Sequence, residues 1–372
     1  MLQLGPVHGL FEAGGAERSP APGLRCKSDT MGDLVKACVL HQPGPVRDRP
    51  LRCEQVPTPE PPAGHLLIRV RACGVCRTDL HIVEGELPMR RSPVIPGHQV
   101  VGTVAGRGAS VAEDGGFDLG TRVGVAWLYG TCGACRWCRS ARENLCEQAE
   151  FTGWTRDGGY AEYVVARADF VYPLPHALND HQAAPLLCAG IIGYRCLRRC
   201  GLADWAGARL GIYGFGAAGH IAIQIARARG ADVYVCTRDR QRHQPLAEQL
   251  GAVWVGGATE APPSRLDAAI VFAPAGEIVP AALQALDRGG RLVLGGIHMS
   301  PIPSIDYQDL YWERGMCSVA NNTREDGREF LEEAARIGVR THVQTMRLDQ
   351  ANDALIALKH DAIKGAAVLE VD

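Results

Sequence analysis

The sequence predicts a fold of α/β plus β class: a domain of short strands joined to a domain built on a doubly wound parallel sheet. Three observations carry this reading. A chain of 372 residues exceeds what one hydrophobic core usually organises. Between 35 and 166, short β-branched runs alternate with Gly- and Pro-rich turns. From 209 the pattern changes to strand–turn–helix–strand, with three glycines in the first turn.

Composition narrows the function classes. Apolar residues make up 46% and charged residues 22%, as in ordinary globular proteins. With 39 basic against 41 acidic side chains, there is no electrostatic footprint for nucleic acid or an anionic membrane surface. No apolar run approaches the roughly 20 residues of a membrane span. Fourteen cysteines are many. They cluster at metal-ligand spacing and follow no basic-then-apolar leader, so a reduced, cytoplasmic setting is expected rather than a secreted disulfide framework.

Residues 1–30 are Gly-, Pro- and Ala-rich with little periodicity and are expected to form a disordered extension, with Met31 a second candidate start. Strands follow over 35–40, 51–56 and 66–72, then over 100–105 and 122–127. Among them the stretch 72–104 concentrates chemistry: Cys76, Thr78, Asp79, His81 and His98, punctuated by Gly74, Gly97 and Gly102. A thiol and an imidazole separated by a loop, beside a hydroxyl–imidazole pair, suit a metal site with one open position. Taken alone, a single Cys and a single His are more often core residues.

Cys132, Cys135, Cys138 and Cys146 are the strongest local signal. Four thiols at this spacing can close a tetrahedron around a structural zinc, clipping a lobe too small for its own core. A redox pair or a nucleic-acid zinc knuckle are the alternatives; the mixed flanking charge and the β context argue against the knuckle. A helix starting at Asp180 continues through Cys188.

From 209 a strand leads into Gly214-Phe-Gly216-Ala-Ala-Gly219, then a helix over 220–229 and a strand over 232–237. Such glycines permit a sharp turn and close approach of a pyrophosphate to the helix N-terminus, so a dinucleotide is expected. After the second strand stand Thr237 and Arg238, with Arg240 and Arg242 beyond, where an acidic residue would favour NAD(H). A hydroxyl and guanidiniums suit a 2′-phosphate, favouring NADP(H); a solvated turn is the alternative. Strands over 268–272 and 291–295, helices over 281–287, 330–339 and 348–358, and a last strand over 366–371 complete the chain.

The motifs CGVCRTDLH (73–81), PGHQVVG (96–102), the four-Cys lobe, the Cys188 helix and GFGAAG (214–219) occur in this order. Together they resemble the zinc-dependent alcohol dehydrogenases of the medium-chain dehydrogenase/reductase superfamily, from Met31 to the C-terminus. The resemblance implies a GroES-like catalytic domain (31–188, regained over 321–372) with an inserted Rossmann domain (189–320). It implies two zinc ions per chain, one on Cys76, His98 and Cys188 and one on the four-Cys lobe. Thr78 and His81 correspond to a proton relay, and Asp79 to the carboxylate that orients His98. Arg77 corresponds to a pyrophosphate contact, Trp127 to a substrate wall, and Gly295 to His298 and Cys317 to Val319 to segments that hold the nicotinamide. Leu87 stands where relatives restricted to very small alcohols often carry an aromatic, which leans toward medium-length primary alcohols and aldehydes. A homo-dimer or homo-tetramer is expected by analogy.

Two positions depart from the family: Gln99 replaces a Glu, and Ala366 follows Gly365 where an Arg is common, leaving Arg77 and Lys364 to supply charge. A zinc-independent quinone-type reductase would lack the ligand set. A catalytically silent NADP(H)-binding sensor is the alternative from another class.

Overall fold

The strand His65–Val75 organises the β-rich half of the computed structural model, which describes residues 33–112 and 115–371. The extension expected over 1–30 lies outside the described residues. Leu66, Ile68 and Val70 alternate inward along this strand, as the two-residue period of a half-buried strand requires. Its first half pairs antiparallel with Tyr163–Arg167, and its second half with Ala366–Glu370 from the far end of the chain. Along the other edge lie Gln99–Arg107, then Arg122–Val125 and Val171–Pro173. Val343–Arg347 closes the sheet on the side of the last strand. Both ends of the described chain thus build one GroES-like domain, and the end of its longest strand delivers Cys76.

The second domain carries six parallel strands in the order Trp254–Gly256, Asp232–Cys236, Arg209–Tyr213, Leu266–Val271, Leu286–Leu294, Gly315–Ser318. This is the Rossmann order, in which the first and fourth strands lie side by side and ligands bind beyond their carboxyl ends. Both faces are covered, so Leu210, Ile212, Val233, Val235, Ala268 and Ile270 are all fully buried.

Three features differ from the sequence-based expectation. The segment carrying Cys188 is not one regular helix. Asn179 caps Asp180–Pro185, a π-helical turn follows over Leu186–Gly190, and α-helix resumes at Ile191–Cys200. Pro185 has no N–H to give to the preceding turn, and the wider turn carries Cys188. The helix Arg324–Ile337, placed by sequence in the returning catalytic segment, instead buries Phe330, Leu331 and Ala334 in the core that holds Ile221 and Ile223. The return to the mixed sheet begins at Val343. Finally, Cys38 and Cys53 oppose each other across the pair Leu34–Leu40/Leu51–Pro57, with Cα atoms 4.0 Å apart, and form a disulfide. This departs from an all-reduced set, because cross-strand register brings together two thiols that sequence spacing keeps 15 residues apart. Among the described residues, no helix is long and apolar enough to cross a membrane.

His220, fully buried in the helix Ala217–Ala228, sits against His342 and bonds the Gly216 carbonyl through Nδ1. Burial pushes its pKa down to about 4. The unfolded chain therefore takes up this proton first as pH falls below about 6.5, so the stability tied to neutral His220 is full above that value and lost toward pH 4. The difference amounts to roughly 3 kcal/mol. Thermal melting should show a smaller loss of Tm between pH 7.5 and pH 5 for His220→Gln than for the parent chain.

Candidate catalytic metal and cofactor site

Cys76 is the residue before the helix Arg77–Glu84, and its sulfur accepts the Thr78 N–H at 3.4 Å. The Cys76 N–H in turn donates to Asp79 Oδ2 at 3.0 Å, completing a capping box with a thiol in the usual hydroxyl's place. The other oxygen of Asp79 accepts from the Gly97 N–H at 3.2 Å and from His98 Nδ1 at 2.9 Å. One fully buried carboxylate therefore fixes the helix start, the loop before His98 and the ring of His98. With Nδ1–H given to Asp79, Nε2 of His98 presents its lone pair, 3.3 Å from Cys76 Sγ.

Cys188 arrives from the π-helical turn, and one ligand atom each from Cys76, His98 and Cys188 lie within 4.8 Å of one another. A tetrahedral zinc with ordinary Zn–S and Zn–N bonds needs S···N of about 3.6 Å and S···S of about 3.8 Å, so these donors fit it. The three donors are electrostatically linked. Among them Cys76 alone is drawn toward the charged ligand form, while Cys188 and His98 are drawn toward protonated forms whose protons a metal would have to displace. The neighbouring Cys188 thiol draws the Cys76 pKa well below the ordinary thiol range, with His98 adding to the effect. Cys188 is raised by its proximity to Cys76 and by burial. Burial raises Asp79. Burial opposes charging of His98, but Asp79 and Cys76 outweigh it and hold its pKa high.

The four-Cys lobe has the same character. Sγ separations are 3.9 Å for Cys132–Cys138, 3.5 Å for Cys135–Cys138 and 3.6 Å for Cys132–Cys146, bracketing the tetrahedral value. N–H groups of Cys135 and Cys138 point at the sulfurs of Cys132 and Cys135. Backbone donors pull the Cys132 pKa down to about 6, which favours the thiolate a metal requires. Asn144 Nδ2 donates to the Ala320 carbonyl and Glu143 accepts the Arg324 N–H, tying the lobe to the end of the parallel sheet.

Trp127 stands edge-on to His98 at 5.0 Å and is held by an Nε1 hydrogen bond to Asn321. Phe151 and Trp154 stack beside it, at 5.0 and 5.9 Å, and Leu87 packs against the same core. Sequence reasoning missed Phe151, Trp154 and Asn321, since nothing in their spacing links them to residue 98. His81 bonds Glu86 through Nδ1, and its ring lies 5.7 Å from that of His298 across the cleft. Glu86 was also missed: it follows Gly85, which ends the helix, so helical spacing carries no signal for it. Thr78 is buried one turn before His81 on the same helix. Gln99 is buried and lies over Gly74, where a Cβ would come within 2.8 Å of its Oε1.

Each glycine of GFGAAG has its own reason. Gly214 adopts φ +90° and leaves no room for a side chain against Ala273. A Cβ on Gly219 would strike the Gly214 carbonyl at 2.8 Å, so this glycine lets helix and strand close up. A Cβ on Gly216 would meet nothing within 4 Å, so its bare backbone faces open space at the helix start, as a pyrophosphate cradle requires. Gly295 is different: a Cβ there would press on Cys196 and Phe272, so packing beneath the loop explains it. Thr237 is only 3% exposed, whereas the Arg238 side chain is 82% exposed, leaving Arg238 the group open to a phosphate. Burial, and after it the charge of Lys364, depresses the pKa of His342.

A nucleotide-binding parallel sheet beside a Cys/His/Cys donor set and a four-Cys lobe defines a zinc-type, nicotinamide-dependent dehydrogenase. Residues 62–176 match the family described as alcohol dehydrogenase GroES-like domain, and residues 217–336 that of zinc-binding dehydrogenase. A Mycobacterium tuberculosis protein named "Probable alcohol dehydrogenase AdhA" is 49% identical over 90% of this chain and 97% of its own length. An alcohol dehydrogenase of Geobacillus stearothermophilus is 35% identical over 91% of this chain and 100% of its own. The structure of acetophenone reductase from Geotrichum candidum in complex with NAD superposes with a TM-score of 0.80 at 27% identity, covering 91% and 97% of the two chains. The chain belongs to the zinc-type alcohol dehydrogenases of the medium-chain dehydrogenase/reductase superfamily, and it is an NAD(P)-dependent oxidoreductase.

Metal analysis is expected to return two zinc ions per chain for the parent protein and one for Cys76→Ala, with the melting temperature of that variant nearly unchanged. Asp79→Asn should weaken zinc retention at this site by about 10- to 100-fold in chelator competition.

Proposed function

We propose that the protein interconverts medium-length primary alcohols and their aldehydes, with NADP(H) preferred and zinc held by Cys76, His98 and Cys188. The observation that carries this reading is the convergence of those three donors, with His98 oriented by a buried carboxylate. A zinc ion held by this donor set would supply Lewis acidity to the reacting oxygen. The chain itself must hold the ligands, move a proton and exclude water.

Thr78 and His81 share one face of their helix, three residues apart, which suits transfer of the hydroxyl proton from the buried site outward. Glu86 holds Nδ1 of His81 and so leaves Nε2 as the proton acceptor. Trp127, Phe151, Trp154 and Leu87 form an apolar wall suited to a hydrocarbon tail rather than a charged one. The four sulfurs of the 132–146 lobe would hold a second, structural zinc. Arg238 and Arg77 supply cations for the 2′-phosphate and the pyrophosphate, which favours NADP(H) over NAD(H). The chain acts in the cytoplasm as a homo-dimer or homo-tetramer. Exposed Tyr307, Tyr311, Trp312 and Met316 beside the outermost strand Gly315–Ser318 support self-association.

A panel of straight-chain and aromatic aldehydes run with NADPH and with NADH tests this reading; absence of hydride transfer to every one of them refutes it. Thr78→Ala should lower kcat by about 10²- to 10⁴-fold with two zinc ions retained, as measured by steady-state kinetics beside metal analysis.

A further inference from the structure

Asp361 stands where a local rule of helix design is broken. It follows the helix Ala351–Lys359, in the left-handed region at φ +52°, a position that favours glycine or asparagine. Its N–H bonds the Leu358 carbonyl, and the Ala362 N–H bonds that of Ala357, so the turn is held by the helix end itself. An acidic group at a helix C-terminus is also opposed by the helix dipole. What offsets this is three guanidiniums. Oδ1 of Asp361 accepts from Arg77 and Oδ2 from Arg238 at 2.7 Å, while its backbone carbonyl accepts from Arg242.

These arginines come from both domains. Arg77 follows Cys76 on the catalytic helix, whereas Arg238 and Arg242 follow the second strand of the parallel sheet. Arg242 is already paired with Asp239 at 2.8 Å. The local balance is therefore three cations against two carboxylates, and the two cations not engaged by Asp239 share the single carboxylate of Asp361.

We propose that Asp361 is a specificity-determining residue for the cofactor. Its carboxylate competes with phosphate for Arg238, and so sets how strongly the groove prefers a 2′-phosphorylated nucleotide over an unphosphorylated one. This rests on the reading of Arg238 as the 2′-phosphate anchor. A phosphate dianion can displace the carboxylate, but it must give back the charge-assisted bond that Asp361 makes. Removing the carboxylate while keeping the backbone turn therefore strengthens binding at the 2′ end more than at the 5′ end.

The test is calorimetric titration of the zinc-loaded full chain with 2′,5′-ADP and with 5′-AMP. Asp361→Asn and Asp361→Gly both remove the charge, and both residues accept the left-handed conformation, so either variant keeps the helix end. Each frees Arg77 as well as Arg238, so 5′-AMP should tighten through Arg77, and 2′,5′-ADP should tighten by on the order of tenfold beyond that through Arg238. The extra gain for 2′,5′-ADP should vanish when Arg238→Ala is added. Equal tightening of both probes, or no tightening of 2′,5′-ADP, overturns the inference. If the parent chain binds both probes equally and Asp361→Asn creates a preference, the NADP(H) reading fails and the role of Asp361 stands. If the parent prefers 2′,5′-ADP and the variants leave that preference unchanged, the role of Asp361 fails and the NADP(H) reading stands.

Discussion

The carboxylate of Asp79 is the constraint on which the site depends. It is fully buried, and burial alone would push it toward the neutral form. It is retained there by the Cys76 N–H, the Gly97 N–H and the His98 ring, which together take both of its oxygens. Removing one partner of a buried charged pair typically costs about 3–5 kcal/mol, so these groups hold one another in place. Through this one residue, the start of a helix, a glycine turn and an imidazole tautomer become a single rigid unit. That rigidity gives two donor atoms a fixed separation across the loop between residues 85 and 97.

The third ligand reaches the site by a different route. The chain must leave the β-rich domain, run along its edge and enter the parallel-sheet domain, and Cys188 lies on that passage. A regular helix would advance each side chain by about 100°, whereas the widened turn after Pro185 alters that advance just where the thiol is needed. The passage between domains thereby contributes to the site. The aromatic wall shows a similar coupling: Trp127 belongs to the β-rich domain, yet its indole is fixed by Asn321, just past the last strand of the parallel sheet.

Charge on the cofactor side is arranged less rigidly. Arg238 is largely exposed and Arg77 partly so, and both converge on Asp361. Anchoring this carboxylate at a helix end gives it a defined position that an exposed side chain would otherwise lack. Gly365 is followed by the uncharged Ala366, and the charge of Lys364 acts on His342, whose pKa is lowered first by burial. The positive charge here comes from Arg77 and Arg238, both paired with Asp361.

Much of this was legible in the amino-acid order because the relevant physics is local. The spacing of Cys132, Cys135, Cys138 and Cys146 confines four sulfurs to one short loop, and the glycines of 214–219 encode a turn, an approach and a close packing within six residues. Short strands such as 66–72 were marked for the same reason, since apolar runs bounded by turn residues need no knowledge of distant partners. Tertiary structure decided whatever depends on contacts between remote segments. The helix 324–337 joined the Rossmann core because its apolar stripe met that domain's helices, although its neighbours in sequence return to the catalytic sheet. Cys38 found Cys53 through strand register, Trp127 found Phe151 and Trp154 through loop packing, and Arg77 and Arg238 met at Asp361 from distant parts of the chain. Residue order determines which groups are available and their local geometry, whereas burial and cross-chain proximity arise only once the chain has closed on itself.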